Sequence, residues 1–348
     1  MAKRPEGRMA PTHWLGEPPV ERDPLTGWAL SRLASAVAED VRLDAVVDVT
    51  STARAVEADL GGPFGARAVG SPATGRPGES QTFRLTNIST RGLREEDARE
   101  PWAVLFDPAR LIRGIGTVTG ARRDGDAVEL ALTPHPLFAD PADDWLPPGA
   151  RRLVVRLDPG TGLLRSAVLH DDEGPLVTAR VREVHIDEVR SEERAGQVLA
   201  RMARTLVEPA RLTAEIAVEA DPHEDLSFTP QPSARSWTVT VGRETVRVTG
   251  GYAPDRTAPL AARLAELLAP ARIVSHLTRV TPGPGNSVRS GVRPLRTFPF
   301  SAWAPNDSLT CTFAVDPDTG VLLRAEATAS GQPVIRHTVT GVRAGAGL

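Results

Sequence analysis

"LDPGTGLLRSAV" at 157–168 and "VDPDTGVLLRAE" at 315–326 are nearly one phrase, written twice in the chain. Each reads as a hairpin turn. Asp158 is placed to bond nearby backbone N–H groups, Pro159 presets φ, and Gly162 supplies a left-handed position; Asp316, Pro317 and Gly320 repeat those roles. β-type runs flank both copies, "RRLVVRL" and "LLRSAVLH" in the first, "LTCTFAV" and "VLLRAEAT" in the second. Further turns at Gly174-Pro175 and Gly331-Gln332-Pro333 lead to "LVTARVREVHI" and "VIRHTVTGV". Each half is therefore predicted to end in an antiparallel three-strand meander, with its aspartates serving the turns.

The repetition extends outward from the phrase. Residues 30–47, "LSRLASAVAEDVRLDAVV", line up with 199–216, "LARMARTLVEPARLTAEI". Leu30, Leu33, Ala34 and Val37 form one apolar helical stripe, and Leu199, Met202, Ala203 and Leu206 form its counterpart. Period-2 segments follow, through Leu43, Ala45, Val47 and Val49 and through Leu212, Ala214, Ile216 and Val218. "DPARLIRGI" at 107–115 matches "APARIVSHL" at 269–277, with Pro108 and Pro270 expected at the first helical position and Asp107 as a cap. The offsets between copies are 169, 162 and 158, which is what an internal duplication with shortening loops predicts.

Between these landmarks, "ESQTFRLTNIS" and "RSWTVTVGRETVRVTGG" are strand-like, and "TAPLAARLAELLAP" carries Leu260, Leu264, Leu267 and Leu268 on one helical face. "GGPFGARAVGSPATGRPGES" at 61–80 reads as a mobile Gly/Pro-rich loop, and "TPGPGNSVRSG" at 281–291 as its shorter cousin. The boundary between halves is placed at 188–196, "EVRSEERAG", a charged stretch without apolar periodicity.

Composition narrows the class. The chain has 348 residues, 41% hydrophobic and 24% charged, with a net charge of −3, so neither a basic excess nor a basic stripe points to nucleic acid. Lys3 is the only lysine; the scattered arginines fit a GC-rich genome better than a phosphate site. Cys311 is the only cysteine, which excludes an intrachain disulfide and a cysteine metal site, and it reads as a small buried strand residue. The N-terminal stretch has charge but no apolar h-region, and no apolar run approaches membrane-span length, so the expectation is a cytoplasmic protein with no membrane span.

The order helix, strand, Pro-started short helix, then "LDPGTGLLR" or "VDPDTGVLLR" opening a meander, met twice, resembles the half-barrel lipoprotein-carrier superfamily that includes LolA and RseB. That resemblance implies an α+β fold: two tandem copies of a curved antiparallel sheet, an open half-barrel wrapped over helices. Residues 23–190 would form copy one and 191–348 copy two, after a disordered or extended segment 1–22. It also implies an apolar cavity between sheet and helices, able to hold acyl chains.

No catalytic pattern competes with this. "HDDE" at 170–173 gathers His170, Asp171, Asp172 and Glu173, but adjacent hairpin residues alternate in direction, so a solvated turn is expected in place of a metal site. "DPHEDL" at 221–226 is read the same way. "GIGTVTG" at 114–120 has the wrong spacing for a dinucleotide loop. His135 lies between two prolines; Trp102, Trp145, Trp237 and Trp303 are expected as core anchors. The reading is a non-enzymatic binding protein, without metal or cofactor, holding a hydrophobic ligand such as a lipid or acyl chain, or a peptide segment. Leu111, Ile112, Leu267 and Ile273 are the expected cavity residues. The alternative is a regulatory protein–protein interaction module, as the resemblance to RseB implies. An enzyme of unfamiliar type is the third option, and few convergent polar groups speak for it.

Overall fold

A computed structural model of the chain describes residues 14–53, 78–90, 101–134, 150–207, 212–220, 235–241, 246–249, 264, 267–292 and 310–344. The first apolar stripe forms α1 (Arg22–Ser35), which passes through a 3-10 turn (Ala36–Ala38) directly into β1 (Glu39–Ser51). Along β1, Val41, Leu43, Ala45, Val47 and Val49 are buried while Arg42 and Asp44 are exposed, the alternation a half-buried strand requires. β2 (Ser80–Ser89), a 3-10 segment (Pro101–Phe106) and α2 (Pro108–Gly114) follow. The half closes with β3 (Ile115–Asp124), β4 (Ala127–Pro134), β5 (Arg152–Leu157), β6 (Leu164–His170) and β7 (Pro175–Ser191).

The second half repeats the plan. α3 (Glu193–Arg204) precedes β8 (Leu212–Ala220), β9 (Arg235–Val241) and β10 (Val246–Thr249). Then come α4 (Ala271–Val274), β11 (Leu277–Pro282), β12 (Ser287–Val292), β13 (Thr310–Val315), β14 (Leu322–Ala329) and β15 (Gln332–Ala344). One sheet has the order β2-β1-β7-β6-β5-β4-β3 and the other β10-β9-β8-β15-β14-β13-β12-β11, with antiparallel neighbours throughout. The second order is the first with β10 added at one end.

The correspondence reaches single residue pairs. On β6 and β7, Ser166 faces Arg180 and Leu169 faces Val177; on β14 and β15, Arg324 faces Thr338 and Ala327 faces Ile335. Both strands are displaced by the same 158 positions, and the irregularity before the turn recurs, at His170 opposite Pro175 and Thr328 opposite Pro333. Val47 opposite Val181 becomes Ile216 opposite Val339. The twin hairpins match in their hydrogen bonds. Gly162 N–H donates to Asp158 C=O (2.8 Å) and Gly320 N–H to Asp316 C=O (3.0 Å); Thr161 N–H and Thr319 N–H each donate to the turn aspartate Oδ1 at 2.8 Å. Gly162 and Gly320 hold φ of +71° and +75°, a conformation glycine adopts at no steric cost.

Several local expectations change. The segment 281–291 is not a loop: it is the β11–β12 hairpin, and Gly283, Pro284 and Gly285 only build its turn, with Gly283 N–H donating to Ser287 C=O (2.8 Å). "GIGTVTG" runs from the last residue of α2 into β3, whose pairing with β4 the glycines conceal. Asp107 caps α2 by accepting from Arg110 N–H (3.1 Å), with Pro108 just inside. Pro270, by contrast, stands one residue outside α4, because Ala269 takes the place of the capping aspartate and leaves a four-residue helix. Only Glu192 separates β7 from α3, so 188–196 is strand end and helix start. From Trp14 onward the N-terminal segment is packed: Leu15 C=O accepts from Trp28 Nε1 (3.4 Å) and Pro19 C=O from Arg123 Nε (3.3 Å). The loop 61–77, most of "TAPLAARLAELLAP", "DPHEDL", His135, Trp145 and Trp303 lie outside the described residues.

The helices join the halves. α1 lies against β3 and β4, α3 against β11, β12 and β13, and α1 and α3 pack on one another. Gly196 makes that crossing close: a Cβ there would sit 3.3 Å from Ser35 Cβ. One continuous apolar core runs from Leu25, Leu30 and Val47 through Leu199 and Met202 to Ile216, Val288 and Phe313.

Candidate functional site

The residues expected to line a cavity sit in this helix layer. Leu111 and Ile112 lie on α2, Ile273 on α4, and Leu267 in the helical residues just before α4; all four are buried. α2 and α4 touch each other, and α3 touches α4, so the matching short helices of the two halves meet in the interior. All four side chains belong to the shared apolar core.

Polar groups in this interior are mostly committed. Arg32 is fully enclosed and clamps three elements: its Nη1 and Nη2 donate to Glu39 Oε1 (3.0 Å) and Oε2 (3.1 Å), its Nε to Pro159 C=O (3.0 Å), its Nη2 to Gly160 C=O (2.7 Å). Burial draws the guanidinium pKa below its usual value, against the pull of Glu39. The duplicate position, Arg201, is partly exposed and donates to Asn286 Oδ1 (3.3 Å), so among the described residues the clamp belongs to the first half. Cys311 is buried on β13, and burial pushes its thiol up to about 12, which makes it unreactive in the folded chain. Among the described residues, the buried Trp102 Nε1, in the 3-10 segment packed on β2 and β6, has no acceptor, and the buried Thr52 Oγ1 likewise has no partner.

"HDDE" forms the β6–β7 turn. Asp171 Oδ1 accepts from Glu173 N–H (2.9 Å) and Gly174 N–H (2.8 Å), so this carboxylate is occupied by the backbone. Among the described residues no group of His, Cys, Asp and Glu could hold a metal ion, and no helix is long and apolar enough to cross a membrane.

What the geometry leaves open is strand edge. Among the described residues, each sheet ends in a strand paired on one side, β2 and β3 in one, β10 and β11 in the other. The β3 edge is partly capped, since Arg22 Nη2 donates to Thr119 C=O (2.7 Å). β2 pairs regularly with β1 from Ser80 to Leu85; Phe83 and Leu85 turn inward, and Thr82 and Arg84 are exposed. Two residues on, Asn87 adopts φ +55° and its N–H donates to Asp44 Oδ1 (2.6 Å), in a bulge where β9 stays regular against β8. That bulge twists away the stretch matching the one where β9 carries β10. Sequence reading missed these edges because edge status depends on strand order, which alternation does not encode.

No family model matches the chain, and no curated protein matches it. Among solved structures it is similar to that of the Pseudomonas aeruginosa MucA/MucB complex, at 12% identity over 92% of this chain and 99% of that one, with a TM-score of 0.23. A structure of MucB with MucA(peri) matches at 12% identity over 92% of this chain and 98% of that one, with a TM-score of 0.22. Likenesses at that level do not identify a fold.

Proposed function

We propose that this chain is a non-enzymatic binding module of two half-barrel copies, residues 23–190 and 191–348, that grips an extended segment of a partner protein. The observation that carries the reading is the open edge of β2: a regular stretch from Ser80 to Leu85, paired on one side only among the described residues, with outward Thr82 and Arg84 alternating with inward Phe83 and Leu85. An added strand gains main-chain hydrogen bonds from such an edge and specificity from alternate side chains. A cytoplasmic place for the chain is part of the same reading.

A photo-crosslinking residue at Arg84 tests it. Expected is capture of one stoichiometric partner from the native host, lost when Thr82→Pro spoils the edge and absent when the crosslinker stands at Thr50, an exposed position on β1. Equal capture from both positions, or none from Arg84, counts against the module.

A hydrophobic ligand held between sheet and helices near Leu111, Ile112, Leu267 and Ile273 is the second reading. One observation favours it: the buried Trp102 N–H, which a ligand's acceptor atom could satisfy. Native mass spectrometry before and after organic extraction separates the two, since only this reading predicts a retained lipid-like mass.

A further inference from the structure

β6 covers β7 only from Pro175 to Arg180; beyond that point β7 pairs with β1 alone, up to Ser191 opposite Glu39. One edge of β7 from Val181 to Ser191 is thus unpaired among the described residues. Val184 and Val189 on it are 50% and 53% exposed. Both face inward, because they stand opposite the core residues Ala45 and Val41, while Glu183, His185, Glu188 and Arg190 stand opposite Val46, Asp44, Arg42 and Asp40 on the other face. Exposed apolar side chains along an open edge mark a contact surface.

We infer that this edge pairs with the same edge of a second copy of the chain, in an isologous antiparallel dimer centred between Ile186 and Asp187. The occupant follows from the charge order. Only a two-fold about that point sets Val184 against the partner's valine at 189 and Val189 against its valine at 184, within one register. The same register brings Glu183 opposite an arginine (position 190) and His185 opposite a glutamate (position 188), each twice by symmetry. Moving the axis half a step toward the N-terminus puts Arg182 opposite arginine 190, and a full step puts Glu183 opposite glutamate 188. The extra residues at Arg182 and Asp187 keep Glu183–Ile186 and Glu188–Ser191 as short regular runs, so the ladder is brief and the dimer is concentration-dependent. Existing exposed pairs, Arg190 Nε to Glu188 Oε1 (2.7 Å) and His185 Nε2 to Asp187 Oδ1 (3.1 Å), are weak enough to re-partner.

Sedimentation velocity on the full chain across a concentration series tests this. A monomer–dimer equilibrium is expected. E183R or R190E alone should weaken it about tenfold, because each places like charges at both symmetric positions, and E183R combined with R190E should restore it to within about threefold. V184K should leave the circular dichroism unchanged and remove the dimer. A chain monomeric up to about 100 µM overturns the inference. So does a dimer indifferent to these four variants, or single charge reversals that the double variant fails to rescue.

Discussion

Removing one partner from the Arg32–Glu39 pair leaves a charge enclosed without its counterion. Glu39→Gln should therefore destabilise the chain by about 3 kcal/mol in urea unfolding, a cost far above that of an exposed pair such as Arg122–Glu129. Replacing both, Arg32→Met with Glu39→Leu, should cost less than either single change, because no orphaned charge remains. Nearby, a Cβ on Gly162 would meet Ala36 Cβ and Arg32 Nη1 at 2.8 Å, and one on Gly320 would meet Arg201 C=O at 2.6 Å. Gly125, also at positive φ, faces open space. Alanine at 162 or 320 should thus lower stability by about 2 kcal/mol or more, and at 125 by about 1 kcal/mol, measured by the same titration.

At the level of elements, the second hairpin has an acid limb. The Thr319 backbone N–H, aided by its hydroxyl and by Asp318 N–H, holds the Asp316 carboxyl below the usual range. A depressed carboxylate adds stability above its unfolded pKa near ~4 and loses it as pH falls through the lower folded value. Asp316→Asn should flatten the stability profile between about pH 4 and pH 2, and wild type and variant should converge at the acid end. Both hairpins, the stripes of α1 and α3 and the inner positions of β1 were legible in the sequence, because local turn chemistry and periodicity encode them. β7 was legible as far as Ile186, but not its bulges or its last stretch of strand to Ser191. Inserted residues at Arg182 and Asp187 space the inward Val181, Val184, Ile186 and Val189 by three, two and three, which breaks the period-2 pattern and makes 188–191 read as a boundary. The helix-layer residues were recognisable as buried, since apolar helical faces seek a core. Whether they surround a ligand is a matter of volume, which a residue pattern does not carry.

For the whole molecule, the shared core predicts one cooperative unfolding transition, although the sequence is written as two halves. α1 and α3 each cover apolar surface of the other, so neither sheet retains its full helical cover alone. Tryptophan fluorescence and far-UV circular dichroism should give coincident denaturation curves. Cys311 supplies a third probe: with its thiol pushed up to about 12 and buried, labelling by a thiol reagent at neutral pH should track global opening only.

The anchoring of residues 14–22 has a practical side. Pro19 C=O and the side chain of Arg22 bind β3 at Arg123 and Thr119, so the stretch acts as a guard over a terminal strand. A protein trimmed to begin after Arg22 would unveil the Thr119 carbonyl, backbone that invites stacking with its neighbours. Such a shortened version should form fibrillar precipitate on storage, and expression designs gain solubility by retaining everything from Trp14.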